Sequence, residues 1–295
     1  MDTNELSKTC ECVLLYCCPL NDETNQNAIN MKDTIIKILN IYKYDINKVV
    51  FITGDNTNVN PKLADELGNS FMFVGCASHR LNLGAELLLL NHKLLCNKIH
   101  MLMTKLKSSD QMLAKLRRCD INVVPELRNA TRWTSSYRVL KKMLVIHSQL
   151  CIDDNSKYLG INEYLLSASE IEELECLYNM LSDINEVIIA IQNENITLRN
   201  IRNYFDILLE DHPYMLNKIG TDATIIKDQY KPFENAIVSL QKAKMNENVQ
   251  CFTTNEMLSV QKFRKSTAVI SASDISTEFT TNDTSATKKI NFRKS

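Results

Sequence analysis

Persuasive strand signals are confined to the first ninety positions of this 295-residue chain, and from residue 93 to 265 helical periodicity prevails. The clearest strand is Val49-Val50-Phe51-Ile52-Thr53, a short apolar run rich in β-formers that reads as buried. Gly54-Asp55-Asn56 breaks it at once, so Asp55 falls on the turn at the strand's carboxyl end. In open α/β sheets loops and helix N-termini converge on that edge, and ligands and metals gather there. A carboxylate in that place is a candidate metal ligand. Gly-Asp-Asn is also good turn chemistry, and both readings of Asp55 stand open.

Around this strand the chain parses into elements. Cys12–Cys18 reads as a strand ended by Pro19, Lys48–Thr53 as the next and Phe71–Val74 as a third. Ala28–Tyr42 is expected to be a helix burying Ile35, Ile38, Leu39 and Tyr42, and Pro61–Leu67 a short helix closed by Gly68. Ser78–Leu90 reads as a helix with Ser78 as N-cap and Leu81, Leu83, Leu87, Leu88 and Leu90 facing inward. Further helices are expected at Lys93–Arg118, Thr131–Leu150, Ser169–Gln192, Thr197–Glu210, Asp222–Lys244 and Asn255–Lys265, with Ser169 and Glu172 at capping-box spacing. Ser266–Ser295 is rich in Ser, Thr, Asn and Lys and is expected to be disordered. The fold class is therefore α+β and mostly α. An α/β part of about three strands (1–92) is followed by an all-helical region (93–265) and a disordered tail (266–295).

Composition excludes several classes. No apolar run approaches the ~20 residues of a membrane span, and MDTNELSKTCEC has acids where a signal peptide needs positive charge. No membrane association and an intracellular location are expected. The ten cysteines are scattered rather than spaced as a secreted disulfide scaffold, and they read as reduced thiols. Cys10, Cys12, Cys17 and Cys18 alternate between the two faces of a strand and do not converge on one zinc ion.

A net charge of −1 conceals an internal asymmetry. From Lys98 to Lys142 eleven basic residues, Arg117, Arg118 and Arg132 among them, face three acids, a net +8. From Asp153 to Glu194 ten acids face only Lys157. Basic helices can neutralise phosphates with salt-dependent affinity, or the two stretches can be solvated faces that attract each other.

The strings GDN-x-x-x-N (Gly54–Asn60), GCASHRLNL (Gly75–Leu83) and NATRWTSSY (Asn129–Tyr137) resemble the hAT superfamily of DNA transposases, in particular its ribonuclease-H-like domain. YFDILLEDHP (Tyr204–Pro213) and KPFENAIVSLQ (Lys231–Gln241) are similar to later helical segments of such proteins, so the likeness runs from about Val13 to Arg264. The resemblance implies metal-dependent DNA cleavage and strand transfer, with three acids holding two Mg2+ or Mn2+ ions that steady both oxygens of an in-line displacement. It makes Asp55 the second acid and a metal ligand. It places Cys76 and His79, three apart on one helical face, at the border of the active site, beside the alternative of a buried thiol and a hydrogen-bonded imidazole in a structural role. Trp133, the single Trp, either packs in the core or stacks on a base near the DNA end, with Arg132 on a neighbouring phosphate. DNA is the implied partner, full-length relatives imply homo-oligomers and a nuclear location, and no small-molecule substrate is implied.

The chain also departs from that pattern. The first acid belongs on a strand before Cys12–Cys18 and the last, a Glu, in a Ser-Ala/Asn-x-x-Glu-Arg block; neither is found in these residues, nor are a BED-type zinc finger and a C-terminal dimerisation segment. The expectation is a fragment truncated at both ends and inactive alone. The alternative is a nucleic-acid-binding or protein-interaction module derived from a transposase. With ribonuclease-H-like strand order 3-2-1-4-5, two central strands are missing between Cys12–Cys18 and Lys48–Thr53, and Met1–Asn27 is expected to be the least firmly held segment.

Overall fold

The computed structural model describes residues 24–68, 71–129, 133–152, 154–245 and 252–263. The expected strand Cys12–Cys18, the first part of Met1–Asn27, Arg132 and the tail 266–295 lie outside them. The fold is mostly helical with a small parallel sheet, and it divides into two compact units at Gly75 and Cys76. The helix that follows residue 76, grouped with the strands by sequence, packs against helices of the second unit.

In the first unit α1 (Ala28–Ile41) starts where the Asn27 side chain accepts from Asn30 N at 2.9 Å, and it packs against α2 (Val59–Leu67). Gly68 closes α2 with a φ of 117°, a conformation that favours glycine. Strand β1 (Phe51–Gly54) pairs in parallel with β2 (Met72–Gly75), with Phe51 opposite Met72 and Gly54 opposite Gly75. Three expectations are corrected here. Ile46–Lys48 is a 3-10 turn capped by Asp45, which takes up the start of the expected strand and moves β1 toward Gly54. Nor is β1 buried: α2 packs on β2, where Phe73 and Val74 are buried, while Phe51 is 44% exposed. Tyr42, expected inside, lies beyond the end of α1 and is exposed.

The second unit is helical. α3 (Ala77–Asn91), α4 (Lys93–Leu106), α5 (Asp110–Arg118), α6 (Trp133–Leu150) and α7 (Asn155–Leu159) lead to the 24-residue α8 (Ala168–Ile191). α9 (Leu198–Asp211), α10 (Leu216–Ile219), α11 (Lys231–Met245) and α12 (Thr254–Val260) follow. Leu174, Leu177, Leu181, Ile184, Val187, Ile188 and Ile191 recur at helical spacing along α8 and are buried against α3, α6 and α9. α3 presents Leu81, Ala85, Leu88 and Leu89 to this core, whereas Leu90, expected inward, is exposed.

Three expected helices are redrawn, each for a local reason. Lys93–Arg118 is two helices, because the Ser109 hydroxyl accepts from Met112 N at 3.1 Å and starts α5 afresh. Asp222–Lys244 begins only at Lys231, since Pro232 is tolerated in a first turn and not ten residues into a helix. Cys76, not Ser78, precedes α3 as its N-cap.

The capping box at the start of α8 is Ser167–Glu170 rather than Ser169–Glu172. Ser167 N donates to Glu170 Oε2 at 2.7 Å, and Lys98 Nζ donates to both Glu170 oxygens at 2.9 and 2.6 Å. The Lys98 ammonium, then the Ser167 N–H, hold the Glu170 carboxyl far below its ordinary range, to about 2. Because the folded value is depressed, this contribution is present above pH 4.5 and is lost as the pH falls toward 2. Glu170→Gln is therefore expected to lower the urea midpoint at neutral pH, with the gap closing in acid. A gap that persists unchanged into acid would assign the effect to geometry instead of charge.

Candidate functional site

The turn after β1 is closed by three side chains over two glycines. A Cβ on Gly75 would lie 2.5 Å from Asn56 Nδ2, so that position excludes a side chain while this amide is in place, and one on Gly54 would lie 3.0 Å from Asn60 Nδ2, a tight contact that presses on the Asn60 amide. Asp55 Oδ1 accepts from Thr57 Oγ1 at 2.6 Å, Asn60 Nδ2 at 2.6 Å and Thr57 N at 3.2 Å. Asn60 Nδ2 also reaches the Asp55 carbonyl oxygen at 3.2 Å. Every fixed member of Gly-Asp-Asn-x-x-x-Asn thus has a packing or bonding task within one turn.

That geometry bears on the metal expectation. A two-metal centre needs carboxylate oxygens turned toward shared cations. Here Oδ1 is turned toward three N–H and O–H donors, and among the described residues no three His, Cys, Asp or Glu side chains stand together. The described residues do not form a coordination shell for Mg2+ or Mn2+. What this arrangement does is hold the turn.

Cys76 and His79 lie at the start of α3, both half-buried; the Cys76 carbonyl accepts from Arg80 N at 3.1 Å, and among the described residues neither side chain makes a hydrogen bond or ion pair. Trp133 opens α6 in the core at 3% exposure, its indole N–H donating to Asn82 Oδ1 and its ring 6.3 Å from that of Tyr137. The geometry places the indole in the packed position, and stacking on a base would require it to leave the core. Arg117 and Arg118 are exposed in the last turn of α5, where cations also complement the helix dipole.

The most elaborate polar constellation was not anticipated from sequence. Arg80 on α3 is buried, and it donates to the Lys218 carbonyl at 3.0 Å, the Gly220 carbonyl at 2.8 Å and Glu234 Oε1 at 2.9 Å. Arg202 on α9 donates to the intervening Ile219 carbonyl at 2.7 Å and to Asp206 Oδ1 at 2.9 Å. The two guanidinium groups lie over the Phe205 ring at 5.2 and 5.4 Å from its centroid. Three successive carbonyls at the end of α10, which a helix terminus leaves without intrahelical donors, are thereby satisfied. Burial pushes the Arg80 pKa down, opposed by Glu234. One signal was available: Arg80, Gly84 and Leu88 recur at i, i+4 and i+8 on the apolar stripe of α3, and a charge there demands a buried partner.

The basic stretch divides into paired and unpaired halves. Lys98 bonds Glu170, while Arg138 and Lys142 bond Glu126 at 2.9 and 3.0 Å. Lys105, Lys107, Lys115, Arg117 and Arg118 are exposed and make no ion pair among the described residues. Comparison of the chain with protein-family models, with curated proteins and with solved structures returns no match.

Proposed function

We propose that the chain derives from a hAT-type transposase, that its 295 residues alone do not cut or join DNA, and that its retained capacity is contact with nucleic acid. The observation that carries this reading is the exposed cationic face of α4 and α5, with Lys105, Lys107, Lys115, Arg117 and Arg118 free of carboxylate partners among the described residues. Such a face binds phosphates by counterion release, and the desolvation cost is small because the charges stay in water. Two features of the first unit support the ancestry. β1 and β2 are parallel neighbours, as the last two strands of a ribonuclease-H-like sheet are, and Asp55 sits at the carboxyl end of β1. One matched acid does not position two metal ions, which is why catalysis is left out of the reading. Nuclear residence belongs to the same proposal.

The test is fluorescence anisotropy of the whole chain with a labelled duplex across a salt series, with and without Mg2+. Arg117→Glu/Arg118→Glu is expected to weaken binding at every salt and to reduce the slope of log K against log salt by about two. Asp55→Ala is expected to leave both unchanged. A folded sample that binds no nucleic acid at low salt would overturn the reading.

A further inference from the structure

Two tyrosines stand among the unpaired cations of the second unit. α7 packs against α5, and Lys115 Nζ lies over the Tyr158 ring, 5.9 Å from its centroid. The 3-10 turn Asn162–Tyr164 packs against α4, and Lys105 Nζ lies over the Tyr164 ring, 6.0 Å from its centroid. Tyr158 is 51% exposed, and Lys115 and Arg118, three apart on α5, share a helical face beside it. Asp110 on α5, Asp120 just beyond its end, Asp154 at the N-cap of α7 and Glu163 in the 3-10 turn are exposed, and none of them ion-pairs with these cations among the described residues.

We propose that this face of α4, α5 and α7 binds single-stranded polynucleotide, with Tyr158 stacking on a base and Lys115 and Arg118 holding the flanking phosphates. The inference rests on the nucleic-acid reading above and narrows it to a strand class. A duplex offers phosphates but hides the flat faces of its bases, so an exposed ring adds nothing to duplex binding. A single strand offers both, and one base on one aromatic ring contributes without regard to sequence. The ammonium over the ring limits its rotamers, which lowers the ordering cost of the stacked arrangement. One face of Tyr158 carries Lys115; its remaining exposed surface is what a base would meet.

The experiment uses the whole chain and three labelled probes of equal length: oligo-dT, oligo-U and a mixed-sequence duplex. Either single strand is expected to bind about tenfold more tightly than the duplex, the size of one stacking contact. Tyr158→Leu, which keeps the apolar contact and removes the π-face, is expected to lose about that factor on the single strands and nothing on the duplex, with the salt slope unchanged. Tyr158→Phe is expected to keep wild-type binding. Because Tyr158 is half exposed, both variants are expected to fold, and their thermal melts check this. Duplex binding equal to single-strand binding, or a Tyr158→Leu variant that weakens both or neither, would overturn the strand assignment and leave the general reading standing. Absence of binding to all three probes would overturn both.

Discussion

Replacing Arg80 by methionine is expected to destabilise the second unit by about 3–5 kcal/mol, the range for removing one partner of a buried ion pair. Methionine restores most of the apolar stem but none of the three hydrogen bonds. Glu234, whose side chain is 18% exposed, is left as a nearly buried charge, and the Lys218 and Gly220 carbonyls lose their donors. Arg80→Lys is expected to recover only part of the loss, because a single ammonium does not reproduce a planar fork aimed at three acceptors. Removing both charges in Arg80→Met/Glu234→Leu is expected to be less costly than Arg80→Met alone, since the stranded carboxylate is the larger penalty. Urea unfolding followed by circular dichroism measures all three. A cost below about 1 kcal/mol for Arg80→Met would place the pair among weak surface bridges and remove its structural role.

Gly84→Leu is expected to cost about 3 kcal/mol, although leucine is the better helix former by nearly 1 kcal/mol. A Cβ on Gly84 would run into the Met215 methyl group, with Met215 Cγ at 3.3 Å and Sδ at 3.4 Å, and Met215 is fully buried. α3 meets α10 and the turn Pro213–Met215 here, and because Met215 is fully buried, turning its methyl aside for a whole leucine side chain presses on the packing that holds the α10 carbonyls bonded by Arg80 and Arg202. Overpacking therefore outweighs helix propensity. Met215→Ala costs stability in the wild type but is expected to return more than about 1 kcal/mol in the Gly84→Leu background, a coupling that a double-mutant cycle isolates. Strictly additive effects would show that the two side chains do not compete for one space.

The Arg80 cluster also shows where sequence reading stops. The guanidinium bonds residues 138 to 154 positions away, and nothing within a helical turn of Arg80 names Lys218, Gly220 or Glu234. The candidate turn was legible because its partners are local: Asp55, Thr57 and Asn60 lie within five residues of one another. Its chemistry was not, since a sequence shows that an acid ends a strand but not which way its oxygens turn. For Trp133 both positions were open, and the hydrogen bond to Asn82, 51 residues earlier, selects the core.

The amino-acid sequence alone determined that the chain is mostly helical, with its strands β1 and β2 in the first part. It also placed the stop of α2 at Gly68 and, to within a residue, the helix now seen as α8, because these depend on backbone preferences and on periodicities spanning a few residues. Tertiary structure decided the rest. Ser167 and Ser169 both head a Ser-x-x-Glu string, and the box forms at Ser167, where Lys98 from α4 also reaches its glutamate. β1 is left half exposed because α2 settled on β2, a choice between two apolar strands that neither strand's sequence encodes. In each case local signals of about 1 kcal/mol leave alternatives nearly equal, and the contact between distant elements chooses among them.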